Sequence, residues 1–297
     1  MTYAELLQQI PKDISYPEAL YILSFYSLQT EHKGRDDLAA REYYHQQCKT
    51  KSALLLSQLA NEVPGKTQAI FLAAMEHFAK GLPIAYIIGI SEFYRRCFVV
   101  GPGVLIPRED SEALLGVALR ESQKYNGGKI LELCCGTACI SISLVLELSL
   151  NWEYWAGDIS ETALCYAREN KDFYLAETRL HLYQSDLFSN PNLQQQYQII
   201  LANPPYLSEA EYQKRGSWKE PKLALAAGKD GMDIFRRIIT QAKMFNRPGG
   251  SLLFEAAPWQ MHELTKLLQA NGYGQIIVSP DISGLDRVIQ ACYTQGS

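Results

Sequence analysis

Asn203, Pro204, Pro205 and Tyr206 stand just after the apolar run Gln198-Ile199-Ile200-Leu201. A nitrogen attached to a planar carbon is a poor nucleophile, because its lone pair is delocalised. A site that uses such a nitrogen must orient it without protonating it. The Asn203 side-chain oxygen and the Pro204 carbonyl are two acceptors for two N–H groups. Proline fixes φ and has no N–H, which helps to aim that carbonyl. Tyr206 offers a flat surface for a planar group. Acceptors so placed also stabilise positive charge developing on nitrogen during methyl transfer. Taken alone, the four residues are also a plain proline turn after a strand, and their weight comes from a second motif in the same sheet.

That motif is Ile130-Leu131-Glu132-Leu133-Cys134-Cys135-Gly136-Thr137-Ala138. A strand, a turn of small residues and a helix make a nucleotide-type binding corner. The turn is poor in glycine, whereas a strict GxGxxG serves close approach to a pyrophosphate. S-adenosyl-L-methionine has no phosphate, so a looser turn suffices for it. Backbone groups of Cys134, Cys135, Gly136 and Thr137 would hold its methionine part, with Glu132 toward the ammonium. The competing reading is an ordinary strand-to-helix turn. Asp158, followed by Ile159, ends the next strand-like run, where an acid accepts ribose hydroxyls. Asp186 and Leu187 end the one after, placing a carboxylate for an adenine amino group and an apolar side chain for the ring. Singly, such acids are commonly helix caps or solvated loop residues. Their recurrence after successive strands favours the cofactor reading.

Elements that would position these residues follow from periodicity. From about residue 108, strand-like and helix-like segments alternate, with strands near 129–133, 152–158, 181–183, 198–201 and 251–255. Helices are expected from about 140, over 161–170 and over 260–271, and the runs 275–278 and 288–291 read as a closing antiparallel pair. Such alternation implies an open, mostly parallel sheet with helices on both faces, whose ligands bind outside the carboxyl ends of the strands. Residues 1–80 read instead as helices, from four apolar stripes: Leu6, Leu7 and Ile10; Ala19, Leu20, Ile22, Leu23 and Tyr26; Leu54, Leu55, Leu56 and Leu59; Ile70, Phe71, Ala74 and Phe78. Residues 81–107 carry aromatic and β-branched runs bounded by glycines, expected as a hairpin or two short strands connecting the two parts.

Composition bounds the answer. The chain has 297 residues, 47% hydrophobic and 20% charged, ordinary for a globular protein of about two domains. Its net charge of -4 argues against gripping long duplex nucleic acid, which takes a basic face. Seven cysteines at irregular spacings fit neither a disulfide framework nor a paired CxxC metal site, so reduced thiols and no metal are expected. The N-terminus lacks the basic start and apolar run of a signal peptide, and no run is long enough to span a bilayer; a cytoplasmic protein with no membrane partner is expected.

Along nearly the whole chain, the sequence resembles the HemK/PrmC release factor glutamine methyltransferases. The resemblance runs through 81–89 and Phe93, and through Val104-Leu105-Ile106-Pro107-Arg108-Glu109-Asp110-Ser111-Glu112, which is similar to the family's IPRP(D/E)TE signature. It continues in 203–206, Glu220-Pro221, Ala224-Leu225, 228–233, Asp281, Gly284 and 286–288. It implies a class I, Rossmann-like α/β fold with a seven-stranded catalytic domain at 108–297, a hairpin connector at 81–107 and a helical substrate-recognition domain at 1–80. It also implies methyl transfer from S-adenosyl-L-methionine to the glutamine of the Gly-Gly-Gln motif in peptide chain release factors. Departures stand at Glu132, where the family usually has aspartate, at Cys134 and Ala138, where it has glycine, and at Glu109 and Ala227. Arg108 matches the signature arginine and belongs either to the cofactor-side wall or to an ion pair with an acid such as Glu112. The tetrapeptide itself is shared with adenine-N6 methyltransferases of nucleic acid, which are the alternative activity. A third reading, a non-catalytic binder of a release factor or ribosomal partner, rests on the glycine-poor corner and is separated from the others by a cofactor titration.

Overall fold

The helices of the N-terminal part start where short polar side chains take up free backbone N–H groups. In the computed structural model, which describes residues 1–174, 179–214 and 219–294, four helices form first: α1 (Tyr3–Leu7), α2 (Tyr16–Glu31), α3 (Leu38–Ser57) and α4 (Gly65–Ala79). Thr2 with Glu5 and Ser15 with Glu18 make reciprocal capping boxes at α1 and α2, and Asp37 caps α3. Leu6, Leu7, Ala19, Leu20, Ile22, Leu23, Phe71 and Ala74 close a common core. The third stripe is corrected: of Leu54, Leu55 and Leu56 only Leu55 is buried. Three consecutive helical positions fan around the axis, so they cannot share a face.

Between Pro83 and Gly89 the expected strand is a short helix, α5 (Ile84–Ile88). Pro83 precedes its first turn and Gly89, at φ 77°, ends it in the left-handed region, and these stop signals override the β-branched composition. The hairpin follows as β1 (Ile90–Phe93) and β2 (Arg96–Val99). Its two-residue turn, Tyr94 at φ 47° and Arg95 at φ 62°, has the positive φ pair that matches strand twist.

The remaining elements are α6 (Glu112–Ser122), β3 (Gly128–Leu133), α7 (Cys139–Glu147), β4 (Trp152–Asp158), α8 (Glu161–Tyr174), β5 (Leu180–Gln184), β6 (Tyr197–Ala202), α9 (Glu209–Lys214), α10 (Asp233–Ala242), β7 (Asn246–Glu255), α11 (Met261–Ala270), β8 (Tyr273–Pro280) and β9 (Asp286–Tyr293). Residues 295–297, the end of the expected catalytic segment, lie outside the described residues. The chain forms two compact units, one mainly of Met1–Glu92 and Arg96–Pro102, the other of Phe93–Arg95 with the described residues of Gly103–Gly216 and Glu220–Ser297.

The second unit holds a seven-stranded sheet in the order β5-β4-β3-β6-β7-β9-β8. The first five strands are parallel, and β9 lies antiparallel between β7 and β8. The α/β class and the closing antiparallel pair are as the sequence implied. All six residues of β6 are buried, as for a strand covered on both faces. One face packs Leu131, Leu133, Ile200, Ala202, Leu252 and Phe254 with Phe235 and Ile238 of α10 and Leu264 and Leu268 of α11. Alternation turns Glu132, Ser251 and Gln290 to the other face, toward α6 and α7. Among the described residues no helix is long and apolar enough to cross a membrane.

Helix α6 is tied to the sheet by a buried acid. Glu121, 3% exposed, accepts from Ser251 Oγ at 2.6 Å, Gln290 Nε2 at 3.0 Å and Lys124 Nζ at 2.8 Å. Burial pushes its carboxyl up, but the bonds from Lys124, Ser251 and Gln290 outweigh burial and leave it below the ordinary glutamate value. A lowered folded value means stabilisation that is complete above the unfolded carboxyl pKa and lost as pH falls through the folded one. Replacing Glu121 with Ala strands the buried Ser251 and the half-buried Gln290 and is expected to cost about 2–4 kcal/mol in urea unfolding at pH 7. In Glu121→Gln, the acid-dependent part of the stability curve should shrink; an unchanged curve would show that the carboxylate contributes nothing.

Candidate active site

The order of the sheet reverses between β3 and β6, which pair in register Leu133↔Ala202. Loops leaving their carboxyl ends run to opposite sides and leave a crevice there. Because β4 pairs with Leu133↔Gly157, Cys134, Asp158 and Asn203 emerge side by side. A cavity of about 250 Å³ opens at this edge. Its walls include Arg108, Glu132, Cys134, Cys135, Gly136, Thr137, Asp158, Ile159, Asp186, Leu187, Asn203 and Pro205, all singled out from sequence. Pro204 and Tyr206 do not line it. Pro204 is buried behind the wall, and Tyr206 packs against the sheet core. The Tyr206 carbonyl accepts from Gln260 Nε2 at 3.0 Å, and Gln260 also reaches the Gly231 carbonyl at 3.2 Å. Gly231 has φ 74°, and a Cβ there would stand 2.2 Å from the Tyr206 carbonyl oxygen, so this glycine lets the 228–232 turn pass close behind the tetrapeptide.

The small-residue turn has left-handed backbone at three alternate positions: Cys134 at φ 57°, Gly136 at φ 53° and Ala138 at φ 59°. Only glycine takes such angles without cost. The chain therefore keeps a glycine-type path with cysteine and alanine in it. Asp158 holds this path in place, its carboxylate accepting from Gly136 N–H and from Ser160 N–H, both at 2.9 Å. Burial raises its pKa, against hydrogen bonds from the backbone of Ser160, Gly136 and Ile159. The cap of α8 is Ser160, whose Oγ accepts the Ala163 N–H at 3.2 Å, so Asp158 is a cavity-wall residue and not a helix cap. Glu132 faces α7, taking bonds from the Ser141 N–H, at 2.9 Å, and from the Ser141 hydroxyl. Burial pushes its carboxyl up to about 8, with the Ser141 bonds opposing.

Arg108 pairs with Glu220, not with Glu112. Glu220 is buried and also takes the Ile106 N–H at 3.0 Å, which pins the 104–108 segment along the cavity. Glu112 accepts the Tyr94 N–H at 2.8 Å instead. Asp186 makes an ion pair with Arg237 of α10 at 2.8 Å. Beside it Leu187, at φ 54° and buried, turns its side chain into the wall. The Asn203 Nδ2 group donates to Ser111 Oγ at 3.0 Å. Glu220, Arg237 and Ser111 carried no assigned role from sequence. Glu220 and Ser111 were visible only as members of signature segments, and Arg237 had no signal. Among the described residues no group of His, Cys, Asp and Glu is arranged to hold a metal ion, and all seven cysteines are free thiols.

A family model described as Methyltransferase small domain matches residues 110–219. The chain is 33% identical over 243 residues to the release factor glutamine methyltransferase of Borreliella burgdorferi, covering 81% of this chain and 84% of that one. To the enzyme of the same name from Bacteroides thetaiotaomicron it is 36% identical over 218 residues, 71% and 76% of the two chains. The bifunctional methyltransferase of Rickettsia felis matches at 36% over 251 residues, where this chain spans about half of the relative, 47%. Among solved structures, the catalytic domain of hMettl16 superposes with a TM-score of 0.54 at 13% identity, over 78% of this chain and 82% of that one. That likeness is one of fold.

The left-handed turn makes a stability prediction. A non-glycine residue there costs about 1–2 kcal/mol. Glycine removes this and returns roughly 0.4–1 kcal/mol of freedom to the unfolded chain. Cys134→Gly and Ala138→Gly are therefore expected to unfold within about 1 kcal/mol of wild type. Cys139→Gly, in the first turn of α7, should lose about 2 kcal/mol or more through helix propensity and lost burial. Equal losses at all three positions, measured by denaturant titration, would show that the turn is unstrained.

Proposed function

The chain belongs to the family of release factor glutamine methyltransferases, and we propose that it transfers a methyl group from S-adenosyl-L-methionine to the side-chain amide nitrogen of the glutamine in the Gly-Gly-Gln loop of peptide chain release factors. The observation that carries this reading is the register of β3 beside β6, which brings the Asn203 acceptor to the same cavity as the small-residue turn, Asp158 and Asp186. When bound, S-adenosyl-L-methionine supplies an electrophilic methyl group. The fit of the site to it is supported by the glycine-type path through Cys134, Gly136 and Ala138 and by two acids facing the cavity from successive strand ends.

On this reading Asp158 accepts ribose hydroxyls with lone pairs left over from its backbone bonds. Asp186 and Leu187 frame the adenine, the turn at 134–137 and Glu132 hold the methionine part, and Arg108 stands in the wall. Asn203 Oδ1 takes one N–H of the substrate amide, and we assign the second to the Pro204 carbonyl, although Pro204 itself does not line the cavity; the pair aligns the nitrogen for attack. Tyr206 acts from behind, through its backbone, in keeping the 203–206 turn in shape. A planar group bearing NH₂ is common to glutamine and adenine, so discrimination comes from outside the cavity. We assign it to residues 1–80 and the hairpin, with remote contacts supplying the binding energy that positions the amide. Two glycines before the target glutamine suit a narrow entrance, since a chain without side chains passes where others do not.

Two variants and one assay test the reading. Asn203→Ala is expected to lose turnover by about 10²–10³-fold while binding the cofactor normally. Asp158→Ala should weaken cofactor binding roughly tenfold or more, since each bond to a charged acceptor contributes about 1.5–3 kcal/mol. Calorimetry and mass spectrometry of a release factor incubated with the methyl donor read both outcomes. Near-normal turnover in Asn203→Ala would reduce the tetrapeptide to a turn. Methyl transfer to DNA adenine, with none to the factor, would replace the proposed activity.

A further inference from the structure

A carboxamide used as an acceptor has to be held the right way round. Its two ends are nearly the same shape, and which end faces the substrate is decided by what the other end meets. If Asn203 turned over, its NH₂ would meet the NH₂ of the incoming amide, donor against donor.

β6 and β7 pair in register Ala202↔Phe254. The next residues on these neighbouring parallel strands are Asn203 and Glu255. Since Ala202 and Phe254 both face α10 and α11, alternation sends Asn203 and Glu255 to the opposite face. There Ser111, 3% exposed, sits just before α6. Asn203 Nδ2 donates to Ser111 Oγ at 3.0 Å. Ser111 and Asn203 line the cavity and Glu255 does not. Glu255 is 2% exposed and its Oε2 has no hydrogen-bond partner. Such a group is costly in a protein interior and calls for a reason.

The structure assigns Ser111 and Glu255 as positioning residues that hold the Asn203 carboxamide with Nδ2 inward and Oδ1 toward the cavity. This rests on the proposal that the substrate is an amide nitrogen. A carboxylate only accepts, and a hydroxyl that accepts from Asn203 has its single proton left for Glu255. With the Ser111 proton turned to Glu255, the polar chain runs one way, from Asn203 Nδ2 through Ser111 Oγ toward the carboxylate, whose charged form both the Ser111 hydroxyl and the Asn203 amide favour. A flipped Asn203 would place its oxygen on the acceptor side. Groups facing Glu255 are Ser111 and Asp110 from the turn before α6, Arg287 from β9, Asn203 after β6 and Cys139 at the start of α7. Arg287 is itself held by Asp281 and Asp110, each at 3.1 Å. Burial pushes the Glu255 carboxyl up to about 7, against the Ser111 hydroxyl and the Arg287 charge. Protonation gives Glu255 a donor and removes the one-way sense of the chain, so orientation weakens as pH falls through that value.

The test uses the full-length protein, S-adenosyl-L-methionine and a folded release factor. Ser111→Ala is expected to lower kcat about tenfold or more, with KM for the factor and cofactor affinity within about twofold of wild type. Ser111→Thr keeps the hydroxyl and should recover most of that loss. Glu255→Gln should flatten the fall of kcat below neutral pH; if that variant does not fold, the Ser111 pair still decides. In protein carrying ¹⁵N-labelled asparagine, the Asn203 side-chain NH₂ signal, identified by its loss in Asn203→Ala, should shift in Ser111→Ala. Turnover of Ser111→Ala within twofold of wild type, equal losses in the alanine and threonine variants, or an unmoved NH₂ signal would each overturn the assignment. Absence of methyl transfer by wild type would instead refute the proposed activity, and the NH₂ signal would then decide the positioning alone.

Discussion

The parallel pairing of β3 with β6 is the constraint from which the rest of the site follows. Register Leu133↔Ala202, with Leu133↔Gly157 on the other side, sets where three loops leave the sheet. A slip of one residue would turn every side chain at those ends to the opposite face. The register is fixed by burial, because Leu131, Leu133, Ile200 and Ala202 all enter one core. Hydrophobic packing thus determines the placing of polar chemistry that contributes nothing to the core itself.

Around that register, carboxylates do the fastening. Asp158 ties the turn after β3 to the turn after β4. Glu132 ties β3 to α7, and Glu220 ties the 104–108 segment to its own loop. Each is wholly or largely buried and each accepts backbone N–H groups, the arrangement in which a buried charge is tolerated. Glu132 and Asp158, which rigidify the cavity wall, are therefore also groups whose protonation alters it. Burial moves Glu132 and Asp158 upward, and their backbone bonds oppose it.

What the sequence disclosed depended on whether a signal was local. Asn203, Asp158 and Asp186 each follow an apolar run, so their place at strand ends was legible, and with them a little under half of the cavity wall. The seven-stranded α/β class followed from alternation and resemblance. Partnerships across the fold were not legible. Arg108 and Glu220, or Asn203 and Ser111, meet only after strands pair, and Glu112 was a nearer but wrong partner for Arg108. Tyr206 reads as a stacking surface from its type, yet the sheet core and Gln260 claim it. Local composition also misled at Ile84–Ile88, where flanking Pro83 and Gly89 decide for helix. At Leu54 and Leu56 the run of leucines hid the fact that one helical face takes only Leu55.

The three thiols of the small-residue turn and the start of α7 have a chemical consequence of their own. Cys134, Cys135 and Cys139 are each pushed upward from the ordinary thiol range by burial, with nearby acids adding to the effect. A sulfur kept protonated is a feeble nucleophile toward peroxide, disulfides and alkylating agents. Cysteine here behaves as a compact, polarisable filler rather than as a reactive group. A stretch that invites comparison with a redox sensor is instead chemically quiet, and it is Cys165, exposed on α8, that an oxidant in solution meets first.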